Sequence, residues 1–474
     1  MLIFLLSVYI ISSLWAILSI ILYGNRPARS ISWILITIIF PYLGVVLYII
    51  FGINRKRFKF FSLNFNAKRK LYDLQHKSDN IQEFAHKFDA NKYESVGDLM
   101  KKSSGFPAVD GNNVTMYFNG ASNFEALYSA LENAQKFIHI QYYIIENGEI
   151  FNRFLEIFKQ KLQQGVEIRV LYDAFGSYDF KKKSVDILES LGVEVHAILP
   201  LKFGNILSTI NFRNHRKIMI IDGKIAFTGG MNVSDKYIKN DNELGIWDDL
   251  HIKITGAAVD HLHRIFIKDY YFATNEILLS EENYLPEQTK KGDTLLQIVT
   301  GGPDHTYLSI LHQYSMMIHA AKKSIYIENP YFIPNKTLLE ALKMAVLRGV
   351  DVKIMVPKNN DSRIAKYSMF SNFQDLLKTG AKIYILKNTF SHSKLIIIDD
   401  EIASVGSGNF DYRSFEHNYE VNTIIYDNNI AKTLSEKFIT NTQKCLVLDY
   451  DSFRNRPFKT KFLEGLAKIV SPLL

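Results

Sequence analysis

The sequence predicts an α/β protein: two duplicated α/β sandwich domains related by a pseudo-twofold axis, preceded by an N-terminal transmembrane helical hairpin. Three observations predict it. Two apolar stretches open the chain, a helix-then-strand alternation recurs beyond residue 110, and one polar motif is written twice, as "NHRKIMIIDG" (214–223) and "SHSKLIIIDD" (391–400). A chain of 474 residues exceeds what one hydrophobic core organises, so two domains are expected.

Composition limits the partners. Hydrophobic residues make up 47% of the chain and charged residues 22%, which excludes an intrinsically disordered polymer. A formal net charge of +8 calls for an anionic partner, and nucleic acid and an anionic membrane surface satisfy it equally. The single cysteine, Cys445, excludes an internal disulfide framework.

The first apolar stretch, Leu2 to Tyr23, carries no charge and as a helix is long enough for a hydrocarbon core of roughly 30 Å. The second, Ser30 to Ile53, reads as a return span with Pro41 and Gly44 accommodated as a kink. A secretory signal would need a basic region before the first run and a small-residue cleavage site after it, and neither is present. The loop between the spans holds Arg26 and Arg29, whereas Arg55, Lys56, Arg57, Lys59, Lys68, Arg69 and Lys70 follow the second. The positive-inside rule therefore puts everything after residue 54 in the cytoplasm of a two-span membrane protein. Phe58, Phe60, Phe61 and Phe65 interleave with these cations, as in a segment lying on an anionic leaflet; a solvated helix start fits as well. The predicted division is residues 1–53 for the spans, 54–110 for a basic linker, and 111–285 and 286–474 for the two domains.

Those domains match segment by segment. "SALENAQKFIHIQYYII" (129–145) parallels "SMMIHAAKKSIYIENPYFI" (315–333): an amphipathic helix, a lysine-bearing turn and a strand. "KQKLQQGVEIRVLYDAFGS" (159–177) parallels "MAVLRGVDVKIMVP" (344–357), and "ILESLGVEVHAILP" (187–200) parallels "LLKTGAKIYILKN" (376–388). A period this long marks duplicated domains, since solenoid repeats run to roughly 20–50 residues. A site at their interface receives one copy of each motif.

On a strand, residues two apart share a face, so His215 points with Lys217 and His392 with Lys394. Asp222 and Asp399 have the opposite parity and stand at the strand end, as supports rather than reactants. Asp222-Gly223 reads as a tight hairpin turn. Both turnbacks end in glycines and an asparagine, "GGMN" (229–232) and "GSGN" (406–409). Glycine lets backbone approach a ligand closely, and Asn232 and Asn409 can offer N–H donors. Two imidazoles, two ammonium groups and two carboxamides make an anion-shaped hole that suits a phosphate.

The doubled pattern H-x-K-x4-D-x6-G-[GS]-x-N resembles the phospholipase D superfamily. Within it the chain resembles the bacterial cardiolipin synthases, through the paired spans, "NHRKIMIIDG", "ENPYFIPN" (328–335), "SGNFDYRSFEHNYEVN" (407–422) and the C-terminal "SPLL". The resemblance covers essentially the whole chain and implies phospholipase D-like α/β domains. It departs at "WDDLH" (247–251), where the family usually has arginine between Trp and Asp, although Asp249 is retained.

The resemblance implies phosphatidyl transfer in the cell membrane: two phosphatidylglycerols become cardiolipin and glycerol through a phosphatidyl-histidine. One imidazole attacks phosphorus, a protonated one donates to the departing oxygen, and lysines and asparagines hold the phosphoryl oxygens. No metal or other cofactor is expected, the cations being built in. Phosphatidylglycerol and anionic lipids are the expected partners, and no nucleic acid. The superfamily usually supplies a carboxylate some thirty residues past each motif to orient each histidine, which makes Glu420 and Asp249 the candidates. The likeness of the two halves does not choose the nucleophile; in related enzymes it is usually the first motif, here His215, with His392 as acid and then base. His261 and His263 in "DHLHRIF" read as structural helix residues, with no ligand cluster to complete a metal site. The alternative function is a membrane-tethered hydrolase or nuclease of the same superfamily.

Overall fold

The computed structural model describes residues 1–23, 27–52, 79–88, 92–200, 211–240, 244–276, 278 and 284–474. The basic and aromatic stretch from Arg55 to Lys70 and the loop residue Arg26 lie outside the described residues.

The first apolar stretch is one helix, Leu2–Tyr23, long and apolar enough from Leu6 to Tyr23 to cross a membrane. The second differs from expectation. It divides into a helix Pro27–Ile39, a break at Phe40–Tyr42, a short helix Leu43–Leu47 and a wider turn Tyr48–Gly52. Pro41 supplies no N–H and its ring clashes with a continuing helix, and Tyr42 takes φ 61°. The uninterrupted apolar piece Ser30–Ile39 is about 15 Å long at 1.5 Å per residue, half a hydrocarbon core. The pieces still pack together: Ala16 and Ile20 meet Trp33, Val45 and Tyr48, and Ser19 Oγ shares a hydrogen bond of 2.9 Å with Tyr48 Oη.

The remainder is mixed α/β and duplicated. The first half contributes β1 (Ala108–Tyr117), β2 (Phe137–Tyr142), β3 (Glu167–Asp173), β4 (Glu194–Ile198), β5 (Arg213–Asn214), β6 (Ile218–Ile221), β7 (Ile225–Gly229), β8 (Ile246–Asp248) and β9 (His251–Thr255). The second contributes β10 (Thr294–Gly301), β11 (Ser324–Glu328), β12 (Asp351–Pro357), β13 (Lys382–Leu386), β14 (Thr389–Ser391), β15 (Leu395–Ile398), β16 (Ile402–Gly406), β17 (Asn418–Tyr426) and β18 (Cys445–Val447). The order outward from the middle is β1-β9-β7-β6-β2-β3-β4 on one side and β10-β17-β16-β15-β11-β12-β13-β18 on the other. Each position of the first side has its twofold mate on the second, which adds β18 at its outer edge. Antiparallel pairing of β1 with β10 (Val109 opposite Leu296) fuses both halves into one sheet.

Helices cover both faces, and the strands between them read as unbroken apolar runs for that reason. Leu127, Ile140, Phe154 and Val170 belong to the core of the first half, and Ile318, Ile327, Leu342 and Ile354 to that of the second. A third core, with Ile220, Ile254, Leu262, Ile298, Ile397 and Leu434, runs across the seam and ties the two halves. His261 and His263 sit buried on the seam helix Ala258–Thr274, where His263 Nε2 lies 2.8 Å from His139 Nδ1.

Candidate active site

The histidines and lysines of the two motifs lie just ahead of their strands. His215–Lys217 crosses between β5 and β6, and His392–Lys394 between β14 and β15. The sequence reading put these side chains on the strand itself. They leave it because the residues before each histidine already pair with the opposite half. β5 runs parallel to β17 (Arg213 with Asn418, Asn214 with Tyr419), and β14 parallel to β8 (Phe390 with Trp247, Ser391 with Asp248). The ladder continues into the histidines, His215 N–H donating to Tyr419 O at 2.9 Å and His392 N–H to Asp248 O at 2.7 Å. The residue after each acceptor is a carboxylate, Glu420 in one case and Asp249 in the other.

That register fixes the contacts. His215 Nδ1 lies 3.0 Å from Glu420 Oε2 and 3.1 Å from Ser407 O; His392 Nδ1 lies 2.7 Å from Asp249 Oδ2. Each pair is crossed, the imidazole coming from one half and the carboxylate from the other. With Nδ1–H donated to a carboxylate, Nε2 is the nitrogen left for chemistry. The lysines follow the i, i+2 parity: Lys217 Nζ donates to His215 O at 2.7 Å, and Lys394 Nζ donates to His392 O.

Asp222 and Asp399 stand off this face at equivalent turns. Asp222 accepts backbone N–H groups of Gln135, Lys136 and Phe137, which lead into β2. Asp399 accepts those of Lys322, Lys323 and Ser324, which lead into β11, and pairs with Lys92. Asp222 and Gly223 are both left-handed, and Lys224 N–H closes the turn on Ile221 O, the tight hairpin expected. Asn232 and Asn409, at the ends of the two turnbacks, are buried. Asn232 Oδ1 accepts Ile144 N–H at 3.2 Å, which leaves its NH2 group to donate. Asn409 Oδ1 has no hydrogen-bond partner among the described residues. The turnback glycines make room for protein rather than for a ligand: a Cβ on Gly230 would stand 2.0 Å from Asp249 Oδ1, and one on Gly406 2.2 Å from Asn422 Oδ1.

Burial dominates the electrostatics. It lowers His215 below the ordinary imidazole value, with Glu420 opposing and Lys217 and Lys394 adding to the fall. It lowers His392 further, aided by Lys394, Lys217 and His215. Desolvation also depresses Lys217 far below the usual lysine range and brings Lys394 down to about 8. Asp249 is pushed up to about 6 by burial, while Glu420, also buried, is held below its ordinary value by His215 and Lys217. The lysine of each half thus lowers the imidazole of the other, and an anion bound between them would oppose that fall.

Three neighbours escaped the sequence reading. Tyr237 Oη lies 3.3 Å from His392 Nδ1, the Tyr143 ring packs edge-on against His215 at 4.8 Å, and the Ser407 hydroxyl donates to Glu420. Tyr143 had a signal, since Tyr331 follows the twofold-related strand and its ring stands 6.4 Å from that of His392. Ser407 stands at the variable Gly/Ser position of the doubled pattern, with no sign of its contact to Glu420, and Tyr237 had no signal. Among the described residues no group of three His, Cys, Asp or Glu side chains is disposed to hold a metal ion.

Comparison with known proteins matches the chain to a family. The family described as "Cardiolipin synthase, PLD-like domain" matches residues 127–270 and 314–441, one segment in each half, and "Phospholipase_D-nuclease N-terminal" matches residues 11–52. A cardiolipin synthase of Geobacillus sp. is 36% identical, with 99% of this chain and 94% of that one aligned. Cardiolipin synthase 2 of Staphylococcus epidermidis is 37% identical, with 100% of this chain and 98% of that one aligned. The crystal structure of phosphatidylserine synthase from Haemophilus influenzae shares the fold, with a TM-score of 0.62 at 16% identity over 81% of this chain and all of that one. Two matched segments around a crossed histidine pair, and curated relatives aligned end to end, have one conclusion: the chain belongs to the cardiolipin synthase family of phospholipase D-like proteins.

Proposed function

We propose that this protein is a phosphatidyltransferase that joins two phosphatidylglycerol molecules into cardiolipin and releases glycerol. The observation that carries the reading is the pair of imidazoles, each held through Nδ1 by a carboxylate of the opposite half, with two buried lysines beside them. His215 Nε2 attacks phosphorus, the bond from phosphorus to the glycerol headgroup oxygen breaks, and protonated His392 donates to that oxygen. His392 then takes the proton of a glycerol hydroxyl on a second phosphatidylglycerol, which attacks phosphorus and frees His215. The bound phosphodiester offsets Lys217 and Lys394, so it favours the imidazolium that burial and these lysines disfavour. Lys217, Lys394, Asn232 and Asn409 hold the phosphoryl oxygens, while Asp222 and Asp399 hold strand ends.

Thin-layer chromatography of reconstituted protein with labelled phosphatidylglycerol tests this reading. A four-chain lipid plus glycerol is the expected product, lost in His215→Ala and His392→Ala; phosphatidic acid alone would make the protein a hydrolase. Asp222→Asn should lower stability and leave the pH optimum in place.

The same reading extends to topology. Leu2–Tyr23 spans the bilayer, the segment broken at Pro41 returns, and both catalytic halves lie in the cytoplasm as two domains, 111–285 and 286–474. The uncharged first helix and the basic excess after residue 54 support it. Protease added outside intact cells should spare the catalytic halves; their digestion reverses the topology.

A further inference from the structure

The helix Phe458–Val470 lies after the last residue matched by the PLD-like domain and leaves an apolar face uncovered. Phe458 is 81% exposed, Phe462 55%, Leu466 48% and Ile469 75%. They recur at i, i+4, i+8 and i+11, which on a helix is a single stripe. The opposite side is occupied: Ala467 and Glu464 are buried, the latter ion-paired with Arg456 at 2.5 Å. Lys459, Lys461 and Lys468 are exposed and border the stripe. A large apolar face edged by lysines fits neither a solvated helix nor a core helix.

Two connections carry this helix to the active site. It packs on the helix Arg363–Phe370, with Ser368 Oγ hydrogen-bonded to Ser471 Oγ. The loop entering that helix holds Asp361, whose carboxylate accepts Tyr331 Oη at 2.7 Å, and the Tyr331 ring faces that of His392. At the far end, Leu474 O accepts Arg413 N–H at 3.1 Å, four residues after Asn409. Ile364, on the helix Arg363–Phe370, is exposed as well. Phe175 and Tyr178 stand exposed on the corresponding loop of the first half, just after Asp173, which accepts Asn214 N–H next to His215.

We infer that the helix Phe458–Val470 lies in the plane of a bilayer bearing anionic phospholipid, with its apolar stripe among the acyl chains and Lys459, Lys461 and Lys468 at the headgroups. It holds the active-site mouth on the surface that supplies the substrate. The inference rests on a phospholipid substrate. Bilayer is favoured over protein as the occupant by the bordering lysines, which suit anionic headgroups.

The test uses the full chain with Phe462→Trp in vesicles containing phosphatidylglycerol, compared with the parent protein to subtract Trp15, Trp33 and Trp247. Lipids brominated near the top of the acyl chain should quench the added emission, and aqueous iodide should not. Replacing the three lysines with serine should cut the ratio of docked to undocked helix by roughly tenfold or more. Quenching by iodide with no response to bromolipid overturns the inference. So does protection from both quenchers, which would mean that a second copy or another segment covers the stripe. The same samples are assayed for cardiolipin, so loss of the transfer reading and loss of the docking inference register separately.

Discussion

Glu328, at the end of β11, shows what a single buried carboxyl does behind the site. Ser391 Oγ donates to it, one residue before His392, and it lines a cavity of about 20 Å³ with Asp248, Asp249 and Lys437. Burial pushes it up to about 7, against the pull of Ser391 and with help from Asp248, which is itself raised to about 6 by desolvation. A carboxyl whose folded value exceeds its unfolded value of about 4.3 stabilises the fold while protonated. That contribution is complete below the unfolded value and is lost as pH climbs toward 7. Glu328→Gln keeps a hydrogen-bonding group for Ser391 and removes the ionisation. Its stability relative to the parent should therefore grow by about 2 kcal/mol between pH 5 and pH 8, read from denaturant melts at the two pH values. A difference that stays flat with pH would return Glu328 to an ordinary carboxylate.

The crossing segments differ between the two halves. The residue between histidine and lysine is Arg216 in the first motif and Ser393 in the second. Arg216 is fully buried and reaches both halves: it pairs with Asp269 of the seam helix at 2.6 Å, and donates to Gly301 O at 3.1 Å and to Glu420 O at 3.3 Å. The strand that carries Glu420 is thereby pinned to the segment that carries His215. Arg216→Met should cost about 3–5 kcal/mol, because it strands the buried Asp269 charge, and Arg216→Met with Asp269→Leu should recover most of that stability. If the double variant regains stability but not turnover, the guanidinium positions Glu420 as well as stabilising the seam. None of this was legible in "NHRK", where an arginine on an apolar strand gives no direction. What was legible followed from periodicity: the helix–strand alternation of each half, and the parity that set Asp222 and Asp399 apart from the histidines. The depth of the break in the second apolar stretch was less legible, because its composition is that of a span, while Pro41 and the left-handed Tyr42 decide the backbone locally.

For the whole molecule, duplication yields a site that neither half contains. The family resemblance places Asp249 with the first motif and Glu420 with the second, each past its motif along the chain. The two-residue β5 and three-residue β14, too short to show a period, reverse that assignment by pairing across the seam. Function should follow the contacts and not the halves. With a phosphatidyl donor bearing a nitrophenyl leaving group, attack by the nucleophile no longer needs an acid, so the two histidines separate in one experiment. His392→Ala should release nitrophenol in a burst of about one per site and stall, and His215→Ala should give no burst. Glu420→Gln loosens the Nδ1 hydrogen bond of His215, so it should slow the burst by about 10²–10⁴-fold; Asp249→Asn should keep the burst and lose the second transfer by a similar factor. If the nucleophile is instead His392, all four outcomes exchange together and the carboxylates still follow the opposite half. Only a Glu420 variant that behaves like loss of His392, or an Asp249 variant that behaves like loss of His215, would break the crossed pairing and return each carboxylate to its own half.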